Sequence, residues 1–319
     1  MAPLVRLFLV FAVISIGAPV AGFLAAPSGE TVDFVDEREA PPSLPIERPV
    51  VTASATLPHV EPEIGWWWNP DEPGRGFLVD RSGDQLIVGT LAYEADRRAS
   101  WYLSTGSLRC GADFNGTLVA YGGGQTLSGR FRKASATRDA GRIAIRFVSP
   151  TQATLTLPGG RAIPLERYRL DGGGEAGFEP EAGWWWNPAE PGRGFAVEIR
   201  NGAVLLTAAA YDDRGNPVWY VSHGPLAADR SYRGRWLRLA GGMTLLGGYR
   251  IPADTADAGP VALRFADTRQ ATLTLPDGRP LPISRFDFAA APGPLALAAA
   301  SDASTTGACS PIRVASVPG

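Results

Sequence analysis

One thirteen-residue segment occurs twice. Gly65-Trp66-Trp67-Trp68-Asn69-Pro70-Asp71-Glu72-Pro73-Gly74-Arg75-Gly76-Phe77 returns as Gly183 to Phe195, with Ala189 in place of Asp71. Three tryptophans beside a Glu/Arg pair are suited to stacking on a ligand and gripping its polar end. On a strand, Trp66 and Trp68 face one side and Trp67 the other. Trp67 and Trp185 are therefore candidates for a platform that meets a sugar, a cell-wall fragment or an apolar molecule. The alternative is that all three rings pack, the outer ones under a loop or against the other copy. Glu72 with Arg75, and Glu190 with Arg193, flank a Pro-Gly turn. They either pair locally or form a clamp that reads a carboxylate or a hydroxyl-rich ligand. Asn69 and Asn187 are expected to cap that turn through local backbone. A second retained pair, Trp101-Tyr102 and Trp219-Tyr220, also alternates. Trp101 with Leu103 is assigned to the interior. Tyr102, beside Ser100 and Ser104, is assigned to the wetter face, where it and Tyr220 join the candidate ligand contacts.

Catalytic chemistry finds few residues to use. The histidines are His59 and His223, and His223 corresponds to Thr105 in the other copy, so a Ser-His-Asp or Cys-His arrangement cannot be built twice. No HExxH, paired CxxC, Walker loop or EF-hand spacing occurs. A hydrolase pairing Glu72 with Asp80, and Glu190 with Glu198, is the enzymatic alternative. No metal or cofactor is expected. The net charge of −2 supplies no field to attract nucleic acid. Two cysteines, Cys110 and Cys309, could join in a disulfide that staples the C-terminal tail to the first copy. Ala228 matches Cys110 in the second copy, against a catalytic thiol.

The elements that must position these residues follow from the duplication. Residues 65–170 align with 183–288 at a constant offset of 118, without a gap, giving 45 identities in 106 positions. Inside each copy the apolar period is two. Ile143, Ile145 and Phe147 alternate with Ala144 and Arg146, and Ala153, Leu155 and Leu157 alternate with Thr154 and Thr156. Pro158-Gly159-Gly160 and Pro276-Asp277-Gly278 supply hairpin turns. This predicts an all-β chain with eight or nine strands per copy. In the first they fall near 66–69, 76–81, 85–93, 99–105, 114–120, 126–132, 142–148, 152–157 and 163–169, and Gly122-Gly123-Gly124 is a hairpin bend. Short connections favour an antiparallel meander, and a sheet that wide must curl or close. An up-and-down barrel of about eight strands is the expected architecture, with a β-sandwich as the alternative.

Around the modules, Arg6 precedes the apolar run Leu7 to Ile16, and small residues follow at Val20-Ala21-Gly22. That is the layout of an export signal over 1–26, leaving no membrane span after cleavage. An uncleaved anchor is the alternative, and the location is periplasmic or secreted. Residues 27–64 form a Pro/Glu-rich linker, 171–182 a Gly-rich linker and 289–319 an Ala/Pro/Ser-rich tail. The tandem GWWWNPxEPGRGF motif, the WY pair and the ATLTLPxG strand resemble modules of exported proteobacterial proteins without an established activity. The Gly-x-Trp opening strand more distantly resembles avidin-like and lipocalin-like barrels, a likeness that implies an interior ligand but transfers no binding residue. The expected function is a non-catalytic binding protein with two similar aromatic sites. The alternative is a structural component of the cell envelope that meets a protein partner.

Overall fold

The computed structural model describes residues 59–170 and 177–288. Residues 1–26, where an export signal is expected, residues 27–58 of the first linker, residues 171–176 and the tail with Cys309 lie outside the described residues. Cys110 is disulfide-bonded. The described residues contain strands and no α-helix, hence no helix long and apolar enough to cross a membrane.

The first copy holds β1 (Gly65–Trp68), β2 (Gly76–Ser82), β3 (Gln85–Tyr93), β4 (Ala99–Arg109), β5 (Asp113–Gly122), β6 (Ser135–Ser149), β7 (Gln152–Thr156) and β8 (Ala162–Arg167). The second repeats them as β9 (Gly183–Trp186), β10 (Gly194–Arg200), β11 (Ala203–Tyr211), β12 (Pro217–Pro225), β13 (Ser231–Ala240), β14 (Asp254–Phe265), β15 (Gln270–Thr274) and β16 (Pro280–Arg285). Each set is a closed antiparallel barrel in which consecutive strands pair and the last returns to the first. The closing registers match, Trp67 opposite Arg167 and Trp185 opposite Arg285. Closure leaves no open sheet edge, which a lone sheet of eight strands would expose.

The barrel interiors are filled. In the first, Trp67 lies edge-on to Phe147 at 5.5 Å, and in the second Trp185 meets Phe265 at 5.7 Å. Phe77, Phe114 and Leu155 complete one core, and Phe195, Tyr232 and Leu273 the other. The second core continues through the barrel wall onto the outer face of the first barrel: Trp66, Leu78, Ile87 and Trp101 belong to the same buried cluster as Trp185 and Phe195. Both faces of β1 to β4 are thus buried.

One expected strand is absent. Residues 126–132 form no strand. They belong to an irregular loop between β5 and β6, residues 123–134, so the glycine run ends β5 and opens a crossing rather than bending a hairpin.

Candidate functional site

The two barrels meet through a pseudo-two-fold interface, in which the principal contacts recur with the copies exchanged. Trp101 donates its indole N–H to the Ala210 carbonyl at 3.0 Å, and Trp219 donates to the Ala92 carbonyl at 3.2 Å. Asp80 on β2 pairs with Arg285 on β16 at 2.5 Å and accepts the Trp184 amide at 2.8 Å. Its counterpart Glu198 on β10 pairs with Arg167 on β8 at 2.5 Å and accepts the Trp66 amide at 3.1 Å. Burial pushes both carboxyls above their ordinary range, and the facing guanidinium pulls each back. These ion pairs explain the first residue of the repeated motif. Gly65 sits at φ +131°, and a Cβ there would fall 2.1 Å from the Arg167 guanidinium; Gly183, at φ +117°, would meet Asp80 at 2.6 Å.

A second pair of contacts locks the crossing loops. The 123–134 loop reaches the second barrel, where Gly123 donates to the Gly215 carbonyl and Tyr211 donates to the Gln125 carbonyl. The matching loop, residues 241–253, returns the contact: Gly241 donates to Arg97 and Tyr93 donates to the Met243 carbonyl. Arg193 then bonds the Leu127 carbonyl at 2.5 Å, and Arg75 bonds the Leu245 carbonyl at 2.6 Å. Glu190 holds Arg193 and Arg279, and Glu72 holds Arg75 and Arg161. Burial lowers the Arg75 guanidinium and brings that of Arg193 down to about 10, leaving it cationic at neutral pH. Of the two readings of the Glu/Arg pairs, the local one holds: Glu72 pairs with Arg75 and Glu190 with Arg193 within the turn, and the arginines bind the chain's own backbone.

Several sequence assignments are corrected by this geometry. Trp67 and Trp185 are 0% exposed and point into their barrels, so neither offers a surface for stacking. The rings on the other face, Trp66 and Trp184, turn toward the opposite barrel instead. Trp101 and Tyr102 are interchanged relative to expectation. Trp101 lies in the interface, while Tyr102 packs inside the first barrel and donates its hydroxyl to Glu94 at 2.8 Å. Tyr220 packs edge-on to the buried Trp236. The physical reason is common to all four: with both faces of these strands buried, apolar alternation cannot say which face is interior. Asp80 and Glu198 have at most 1% exposure and are held by arginines, while both oxygens of Glu72 face arginines, so neither carboxylate pair opens onto a shared solvent-facing site. Asn69 and Asn187 do cap their turns, accepting from Asp71 at 3.1 Å and Ala189 at 2.9 Å.

The interface encloses two clefts related by the same pseudo-symmetry, and they are unequal. One has a volume of about 390 Å³, the other about 30 Å³. The larger is walled by Trp101, Tyr121, Trp184, Trp186, Tyr211 and Phe286. Trp101 and Tyr121 stack nearly parallel, 5.9 Å apart at 15°, and Tyr211 meets Trp101 edge-on at 5.5 Å. Lys133 and Arg193 are the charged side chains of the lining. Burial raises the pKa of Tyr121 and Tyr211, so both phenols stay neutral. Two replacements go with the difference in size. Ala209 lines the large cleft where Leu91 fills the small one. Trp184 lies on Gly89, whose absent Cβ would sit 2.5 Å from the indole, whereas the position corresponding to Gly89 is Thr207, beside Trp66 in the small cleft. Of the wall residues, Trp101, Trp184 and Trp186 belong to motifs legible in the sequence, whereas Tyr121, Tyr211 and Phe286 do not, because nothing local ties them together. Comparisons of the chain with protein-family models, curated proteins and solved structures find no match.

Proposed function

We propose that the protein binds one small, predominantly apolar molecule with a flat face in the cleft between its barrels. The supporting observation is the cleft itself: about 390 Å³, with aromatic residues of both barrels in its lining, Trp101 and Tyr121 from the first and Trp184, Trp186, Tyr211 and Phe286 from the second among them. That is the size and lining common to small-molecule sites. The scarcity of polar groups in the wall favours an aromatic or aliphatic body over a sugar, whose hydroxyls would lose water without finding partners. The site differs from the one the motif suggested, and it is single because the related cleft is closed by Leu91. Export to the periplasm or beyond, implied by the N-terminal segment, places the encounter outside the cytoplasm. The test is a titration followed by tryptophan emission, since Trp101, Trp184 and Trp186 all line the cleft. Wild type should show a saturable change with apolar aromatic ligands, and Ala209→Leu, which copies the closed cleft, should lose it. An unchanged response in that variant would sink the assignment.

A second reading, a structural or interaction protein, draws on the fact that the repeated motif is consumed in joining the barrels. It leads to a stable oligomer in solution and to no ligand-dependent change in emission.

A further inference from the structure

The two clefts began as equivalent positions, so what differs between them shows what one copy has kept or gained. Lys133 is the single lysine of the chain. It stands at the large cleft, and the residue 118 positions later, at the small cleft's end of the repeat, is Ile251. The space-making change, Ala209 for Leu91, lies on the other barrel. Two changes distant in sequence have therefore converged on one cleft, one supplying room and the other a cation. No aspartate or glutamate among the described residues lines this cleft. Arg193, its other cation, is already held by Glu190 and by the Leu127 carbonyl. The Lys133 ammonium has no ion-pair partner among the described residues, and it stands beside aromatic surface that would seat the body of a ligand.

Resting on the reading of the cleft as a ligand site, we infer that the ligand is an amphipathic anion, an aromatic body carrying a carboxylate or similar acid, whose charged end pairs with Lys133. Charge complementarity selects an acid over its neutral isostere, while stacking on Trp101 and Tyr121 selects the flat body. Stoichiometry is one per chain, because Leu91 closes the cleft where Ile251 would offer no cation.

The test uses the full chain and two isosteric probes, 1-naphthaleneacetate and 1-naphthaleneacetamide, by isothermal titration calorimetry. Wild type should bind the acid about fivefold more tightly than the amide, near the upper end of what a partly exposed ion pair contributes. Lys133→Gln should lose that preference by weakening the acid alone, leaving the amide as before. Because the lysine is unique, a second readout is direct: bound acid should protect Lys133 from an amine-reactive acylating reagent, read by mass spectrometry. Equal affinities for acid and amide, without protection, overturn the anionic assignment and leave the cleft reading standing. Binding of neither probe, with Lys133 modified at the same rate in their presence, overturns both. Two equivalent sites per chain overturn the asymmetry on which the inference stands.

Discussion

Replacing Asp80 by alanine tests whether the barrels are joined as the structure indicates. Asp80 has no exposed surface, and its two oxygens serve the Arg285 guanidinium at 2.5 Å and the Trp184 amide at 2.8 Å. Truncation strands a guanidinium that is 5% exposed and leaves one buried N–H without an acceptor. Breaking a buried ion pair from one side costs about 3–5 kcal/mol. A stranded amide adds about 1 kcal/mol, for a total of roughly 4–6. At roughly 2–4 °C per kcal/mol for a protein of this size, Tm should fall by about 8–24 °C. Urea unfolding should show the midpoint moving with an unchanged slope. The companion variant carries Asp80→Leu and Arg285→Met together. Because it removes the charge as well as its partner, it should recover most of the loss. Two results would refute the reasoning. A loss under about 1 kcal/mol in Asp80→Ala would mean that the pair is solvated, and no recovery in the double variant would mean that the loss came from somewhere other than the stranded charge.

Three further outcomes follow from the same geometry. Gly183→Ala would force a Cβ onto Asp80 at a φ of +117°. It should cost at least as much as losing the ion pair, seen as a collapse of Tm or of soluble yield, and a wild-type melting curve would contradict it. Ala209→Leu should abolish ligand binding while leaving Tm equal or higher, because it fills space rather than removing contacts; binding lost together with stability would point to misfolding instead. His223 has its Nε2 buried without a partner, and burial holds its pKa below the ordinary 6.5. The unfolded chain therefore binds the proton first, so the stability His223 contributes is full above about 6.5 and is lost as pH falls through that value. Thermal melts of wild type and His223→Thr, which restores the residue of the other copy, should converge in one direction: wild type loses ground at pH 5 relative to pH 7.5, and parallel curves would exclude the effect.

The barrels were legible because their signals are local. The alternation at Ile143, Ile145 and Phe147 and the Pro-Gly-Gly turn that follows specify β6, β7 and β8 without reference to anything distant. The duplication identified the second barrel from the first. What alternation could not supply was the direction of each face. Trp101 and Tyr102 lie on opposite sides of a strand buried on both, so the assignment came out reversed. The crossing loop failed differently. Leu127, Gly129 and Phe131 alternate well enough to pass for a strand, yet the segment is held by Arg193 from the other barrel, 66 residues further along the chain from Leu127. A signal was present: Gly-Gly-x-Thr-Leu-x-Gly survives in both copies with Arg132 and Arg250, although a simple hairpin would not require those residue types. Asp80 and Glu198 are acidic in both copies, and the sequence alone invites a catalytic reading of them because a buried partner on another barrel leaves no mark nearby.

The cleft was illegible for a more general reason, which also explains how it could arise. A pseudo-two-fold interface uses one surface patch twice, each residue meeting its counterpart's partner, as an isologous dimer does. In a true dimer of identical chains, any change that closes one cleft closes both. Fusing the copies removes that constraint, while the connection between them keeps their effective concentration high. The ion pairs and crossing loops, which hold both sides together, still appear twice with the same residue types. The cleft walls do so only in part: Trp101, Trp184, Trp186 and Tyr211 keep their types in the other copy, while other wall positions differ. Leu91 corresponds to Ala209, Tyr121 to Leu239 and Lys133 to Ile251 at the repeat offset. Retention therefore marks the joint, and divergence marks the place where the two halves are free to differ. In a duplicated protein of this kind the binding site is to be sought where the copies disagree, next to the surface on which they must agree.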